Sequence, residues 1–205
     1  TREVARVRHE GPPQPLINRR ALGPGVVLFA GLVATAAFGA FVPLYGGDVG
    51  IDDVAVVFVV FGLLVLAIRI FGARLPDLLG GARAGTVALV STGLGMLVMA
   101  VVASAAGLMT GVVIFAIGSA FMYPAMLLMA LEGSTERDRG SAVGTISSCF
   151  DLSQGIGSLV VGGIAALTSY RGAFAAGAVS AAIGVMVLWV WVVPRLARAR
   201  LASLT

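Results

Sequence analysis

Asp151 is the one acid in a long apolar stretch, and the residues around it are spaced to serve it. Ser147, Asp151, Gln154, Gly155 and Ser158 follow at steps of three and four, so on a helix they share one face, while Ile146, Phe150, Leu152 and Leu159 largely occupy other angles. If a helix begins near Ser141, Asp151 lies about ten residues in, or about 15 Å along it, close to the middle of a bilayer core about 30 Å thick. A carboxylate at that depth costs about 2.5–3.5 kcal/mol on insertion scales, so it faces a protein interior or a watery cavity. A carboxyl that alternates between dry and hydrated surroundings can take up a proton on one side and release it on the other. Thr145, Ser147, Ser148, Gln154 and Tyr123 are the neutral hydrogen-bonding groups expected to line the same cavity. A fixed acceptor, bonded to a neighbouring helix, is the other reading of Asp151, and the pattern leaves both open.

A second set of charges stands where an apolar run ends. Asp77 can accept charge-assisted hydrogen bonds from Arg69, Arg74 or Arg83, which would tie two neighbouring helices together at one surface and act as a gate when made and broken. A solvated turn is the plainer reading. Arg69 lies within its apolar run, so it must snorkel or pair. Glu132, Glu136, Arg137, Asp138 and Arg139 read as a solvated loop with helix-capping value rather than a site.

These groups need a membrane-embedded frame. The 205 residues are 59% hydrophobic and 12% charged, with a mean hydropathy of +1.01, far too apolar for a soluble domain of this length. The formal charge of +4 comes from arginines at the edges of apolar runs rather than on one basic face, which argues against a nucleic-acid partner and for the lipid bilayer. Cys149 is the single cysteine and His9 the single histidine, so neither a disulfide framework nor a metal site is expected.

Six apolar runs, at about 22–45, 52–72, 84–104, 107–131, 141–167 and 173–193, are each long enough to span as a helix. A barrel is excluded because the strand-length alternation is missing. The expected fold is therefore all-α, a polytopic membrane protein with six transmembrane helices. Residues 1–21, broken by Gly11-Pro-Pro-Gln-Pro15, read as an irregular lead-in with no cleavable signal, residues 22–195 as the transmembrane domain and 196–205 as a tail. Loops alternate in charge: arginines at 19, 20, 74, 83, 137, 139, 195, 198 and 200 fall at one end, and Asp48, Asp52, Asp53 and Arg171 at the other. By the positive-inside rule both termini are cytoplasmic, and Trp189 and Trp191 suit an interfacial belt there. The pairs Gly107/Gly111 and Gly140/Gly144, and Gly155-Ile-Gly157, allow close helix approach; Pro43 and Pro124 can bend their helices.

The membrane part resembles the C-terminal six-helix half of a major facilitator superfamily transporter, in particular bacterial sugar or drug efflux permeases. Three stretches carry the likeness: Phe41-Val-Pro-Leu-Tyr45; Arg69-Ile-Phe-Gly-Ala-Arg-Leu-Pro-Asp-Leu-Leu-Gly-Gly-Ala-Arg83, similar to the signature loop between the eighth and ninth helices; and Tyr123-Pro-Ala through Glu132 and Arg139-Gly to Phe150-Asp151-Leu, then Tyr170-Arg-Gly-Ala-Phe174. Leu78, Gly81 and Ala82 depart from the signature, standing where basic residues are usual. The resemblance implies two inverted three-helix repeats, alternating access around a midplane site, a small-molecule solute, and residence in the cytoplasmic membrane of a bacterium. It implies a proton gradient rather than a bound cofactor, with efflux favoured by analogy alone. It also implies a partner, either a missing N-terminal six-helix half or a second copy of the chain; the lead-in resembles the linker between halves.

Two other classes are weaker. An intramembrane serine protease would need a base, and His9 in the polar lead-in is the only histidine. A non-transporting scaffold or partner subunit has no use for a buried acid on a polar stripe.

Overall fold

The computed structural model describes residues 17–132, 134 and 136–202. Most of the lead-in, with Arg2, Arg6, Arg8 and His9, and the end of the tail lie outside them. Among the described residues the fold is all helical: α1 (Arg19–Asp48), α2 (Ala55–Phe71), α3 (Leu75–Leu79), α4 (Gly81–Val101), α5 (Ala105–Leu131), α6 (Glu136–Leu167), α7 (Tyr170–Val187), a π-helical segment (Leu188–Val192) and α8 (Val193–Ala202). In lipid each backbone group must be bonded within its own segment, which is why apolar runs of this length become helices. Arg19–Asp48, Gly81–Val101, Ala105–Leu131, Asp138–Leu167 and Tyr170–Arg198 are long and apolar enough to cross a membrane. The sixth apolar helix, α2, has 17 residues, a length of about 25 Å and the lower limit for a span.

The helix ends follow from local chemistry. Asn18 starts α1 earlier than the apolar run suggests, because its Oδ1 accepts from the amides of Arg20 and Ala21 at 3.0 and 3.3 Å. The weakly marked boundary between the third and fourth runs falls at Ser104, whose Oγ accepts from Gly107 N at 3.1 Å. Ser169 caps α7 in the same way through Gly172 N, at 3.2 Å. The charged stretch from Glu136 to Arg139 is the first turn of α6 rather than a loop; Glu136 and Asp138 there complement the positive end of the helix dipole. Asp151 remains near the centre of the apolar span Asp138–Leu167. The last apolar helix runs on through the π segment into α8, so the expected tail is helical as far as Ala202.

α1 is the axis of the bundle, packed against α4, α5, α6 and α7, and 72% of its most apolar window is buried. The corresponding figure for α6 is 17%, so one long face of that helix points away from the bundle. α2 is also peripheral; it is held to the bundle where Phe58 and Phe61 meet Phe38 of α1 at 5.6 and 4.7 Å, beside the Phe38–Phe115 stack at 4.8 Å. The core forms two layers. Phe38, Met96, Met99, Phe115 and Phe174 fill the half towards the acid-bearing end, and Leu28, Leu89, Met126, Met129, Ile146 and Leu188 the half towards the arginine-rich end.

Glycine sets the closest helix contact. A methyl on Gly95 of α4 would stand 2.7 Å from the Gly111 carbonyl of α5, and one on Gly111 would stand 2.8 Å from the Gly95 carbonyl, so the two backbones meet with no room for a side chain. Gly111 thus serves as expected, whereas Gly140, Gly144 and Gly155 face open space on α6. Replacing Gly111 with Val should overpack this contact and cost about 1–3 kcal/mol, read as a fall in thermal unfolding temperature in lipid nanodiscs; Gly144→Val should leave it unchanged. Equal stability of the two variants would refute this role for Gly111.

Candidate functional site

The open face of α6 borders a cleft of about 490 Å³ lined by Arg69, Tyr123, Pro124, Ser147, Phe150 and Asp151. Three helices build it. α6 supplies Ser147, Phe150 and Asp151, α5 supplies Tyr123 and Pro124, and Arg69 comes from the last turn of α2. Tyr123 and Phe150 meet edge to face, with centroids 6.1 Å apart at 84°, and give the cleft an aromatic wall beside the charged pair. Asp151 and Arg69 are both exposed and form no salt bridge with each other in this conformation. A single acid and a single base thus line one open cleft, the acid near the middle of the apolar span of α6 and the base at the end of α2.

The sequence-predicted residues divide. Asp151, Ser147 and Tyr123 come together in the cleft. Arg69, expected at the gate, joins them instead, and Phe150, assigned to another angle of α6, is part of the wall. Thr145 is not a cavity residue in this conformation: it is 4% exposed, accepts from Asn18 N at 2.9 Å and donates to the Ser141 carbonyl at 2.8 Å. Ser148 is exposed but outside the lining, its hydroxyl turned back on the Gly144 carbonyl at 2.9 Å, and half-buried Gln154 is also outside it.

The expected gate separates into two places. Asp77 and Arg74 are exposed on and beside the short α3, and Asp77 forms no hydrogen bond or ion pair with Arg69, Arg74 or Arg83 among the described residues. Arg83 lines a smaller cleft of about 240 Å³ with Met129, Glu132 and Trp189. Trp189 donates from Nε1 to Thr86 Oγ1 at 3.0 Å, and Trp191 lies 4.5 Å from the Arg195 guanidinium, so the π segment is fastened to α4 on one side and holds a base on the other.

Asn18 was not singled out in the sequence, yet it joins the arginine-rich ends of α1 and α6. Besides capping α1 and donating its amide to Thr145, it donates from Nδ2 to Ser141 Oγ at 3.2 Å, and Ser141 Oγ in turn donates to the Asp138 carbonyl at 3.0 Å. An Asn directly before an apolar run is a helix-start signal, which could have identified it. Nearby, Cys149 packs against Gly25, where an added methyl would stand 2.6 Å from Sγ; its position is accounted for by packing. Among the described residues no group of three or more His, Cys, Asp or Glu side chains converges as a metal site would require.

Apolar helices long enough to cross a membrane, with an open cleft on one face that carries an acid and a base, suit a membrane transporter. The family model described as Major Facilitator Superfamily matches residues 25–203, and the chain belongs to that family, whose members are transporters and not enzymes. Comparison with curated proteins returns no match. The family supports membrane transport of a small solute as the activity.

Because one side chain serves both helices, Asn18→Ala should cost about 1–2 kcal/mol, as loss of a cap does. Asn18→Asp keeps the cap acceptor but loses the Nδ2 donor and should lose only part of this. Chemical denaturation in mixed micelles checks both; an unchanged midpoint for Asn18→Ala would mean that the junction contributes nothing to stability.

Proposed function

We propose that the chain forms one six-helix half of a proton-coupled secondary transporter in the cell membrane, with Asp151 as the proton-carrying group. The observation that carries this reading is the placement of Asp151, near the middle of its apolar span, and Arg69 on one open cleft. Deprotonated Asp151 is compensated by the guanidinium across the cleft; protonated Asp151 is neutral and can be enclosed in an apolar interior at far lower cost. Protonation therefore changes which cleft shape is favoured, and this links proton movement to opening on one side or the other. Tyr123, Phe150 and Ser147 are suited to a small solute with apolar surface and few hydrogen-bonding groups.

The open faces of α6 and α2 call for a cover in the membrane. A second six-helix half, whether an N-terminal half or a second copy of this chain, would enclose the cleft between two rocking bodies. The arginine-rich end is then cytoplasmic by the positive-inside rule. Efflux is the direction favoured by the likeness to sugar and drug permeases. The test is solute flux in proteoliposomes under an imposed pH gradient. Asp151→Asn should reduce gradient-driven flux to the rate seen without a gradient while leaving solute exchange measurable; if the variant still responds to the gradient, Asp151 does not couple protons.

A further inference from the structure

At the arginine-rich end, the π segment carries the last helix down against the start of α1. Methyls built on the glycines trace the register of the two helices: Gly177 meets Ala34, Gly184 meets Ala30, and Gly23 meets Val192 and the ring of Trp191, at 3.2 and 3.8 Å. The series runs antiparallel, since the numbers rise along α7 as they fall along α1. Arg19 is four residues, one turn and about 6 Å, before Gly23 on the same face of α1. Arg195 is one turn beyond Trp191, so the register continued by a turn brings Arg195 level with Arg19. Arg198 follows at a step of three along α8.

This corner has no counter-charge. Arg19, Arg195 and Arg198 are exposed, and none of them forms a salt bridge among the described residues. Arg195 is held by the indole instead, its guanidinium 4.5 Å from the Trp191 centroid. A guanidinium laid on a ring keeps its N–H edge free, and that edge matches the oxygens of a phosphate. The acids Glu136 and Asp138 belong to the first turn of α6, which meets α1 at Asn18, and Asp138 already has a partner. Bases brought to one level without an acid repel each other, and an anion between them removes that cost.

The depth of the corner selects the anion. Indoles flanked by arginines lie at headgroup level in a bilayer, where basic side chains attract anionic lipid. Ile183, Met186 and Val190 are exposed and follow at steps of three and four up the span, an apolar stripe that ends beside Trp191. A phosphate that carries acyl chains fits both features, whereas a soluble phosphate has nothing to lay on the stripe.

We propose that Arg19, Arg195 and Arg198, with Trp191 as the platform, form a discrete site for the phosphate of an anionic phospholipid whose chains lie along Ile183, Met186 and Val190. The site requires that the bundle reside in a membrane; it does not depend on Asp151 or on the solute carried.

The test is native mass spectrometry of the protein as it occurs in its native membrane, released into mild detergent and titrated with phosphatidylglycerol. Arg195→Gln and, separately, Arg19→Gln should each weaken binding about fivefold or more. Arg74→Gln, which removes the same charge from an exposed position beside α3, should not. Trp191→Leu should weaken binding and Trp191→Phe, which keeps a ring, should largely preserve it. Binding of phosphatidylcholine should be the same in all of these variants. An equal loss for Arg74→Gln would show diffuse surface charge and overturn the proposal, as would unchanged phosphatidylglycerol binding in both Arg19→Gln and Arg195→Gln or an equal loss for phosphatidylcholine. Displacement of the lipid by an equal concentration of glycerol 1-phosphate would show a site for a soluble phosphate and would overturn it too.

Discussion

The cost of a charge in hydrocarbon governs this molecule. Asp151 stands near the centre of a span that must otherwise satisfy lipid, and no basic side chain bonds it directly in this conformation. The bundle meets that cost by geometry: α6 packs on α1 through Ala142, Ile146, Ser153 and Gly157 and turns Gly144, Ser148, Asp151 and Gly155 away from the core. Arg69, a base that must itself avoid lipid, comes to the same space from α2. Two costly groups share one cleft, so a single hydrated space would serve both.

The rest of the structure keeps that face fixed without covering it. α4 and α5 meet through Gly95 and Gly111 at backbone distance, which makes them a rigid pair against which α1 is seated. α1 holds α7 through Ser180 Oγ, which donates to the Ala30 carbonyl at 2.8 Å, and holds α6 through Asn18 at its start. The contacts to α6 are concentrated on one side of that helix, leaving Gly140, Gly144 and Gly155 with nothing near them. Such a face is stable in a membrane only if water or protein lies against it.

The helices were legible in the sequence because hydropathy over about 20 residues is a strong and local signal. The acid at the centre of α6 was legible in the same local way, since periodicity placed Ser147 and Asp151 on one face. What escaped was decided between segments far apart in sequence. Thr145 lies with Ala142 and Ile146 on the buried face of α6, about 120° round the helix from Asp151, and there Asn18, 127 positions away, takes up its hydroxyl. Arg69 and Arg83 are near neighbours in sequence, yet α3 and the turn at Gly80, with φ of 77°, send them to different clefts. Phe150 lies off the polar face of α6, yet the cleft takes in more of the helix because Tyr123 of α5 closes its side.

Water contact at the Asp151 face is the central claim, and thiol labelling tests it most directly. With Cys149 replaced by Ser to leave no native thiol, Ser147→Cys should react in native membranes with a membrane-impermeant maleimide added to the side on which the cleft opens, and bound solute should slow that reaction. A thiol at Ser147 that reacts only with a lipid-soluble reagent, from either side and regardless of solute, would show that this face meets lipid and would contradict the account.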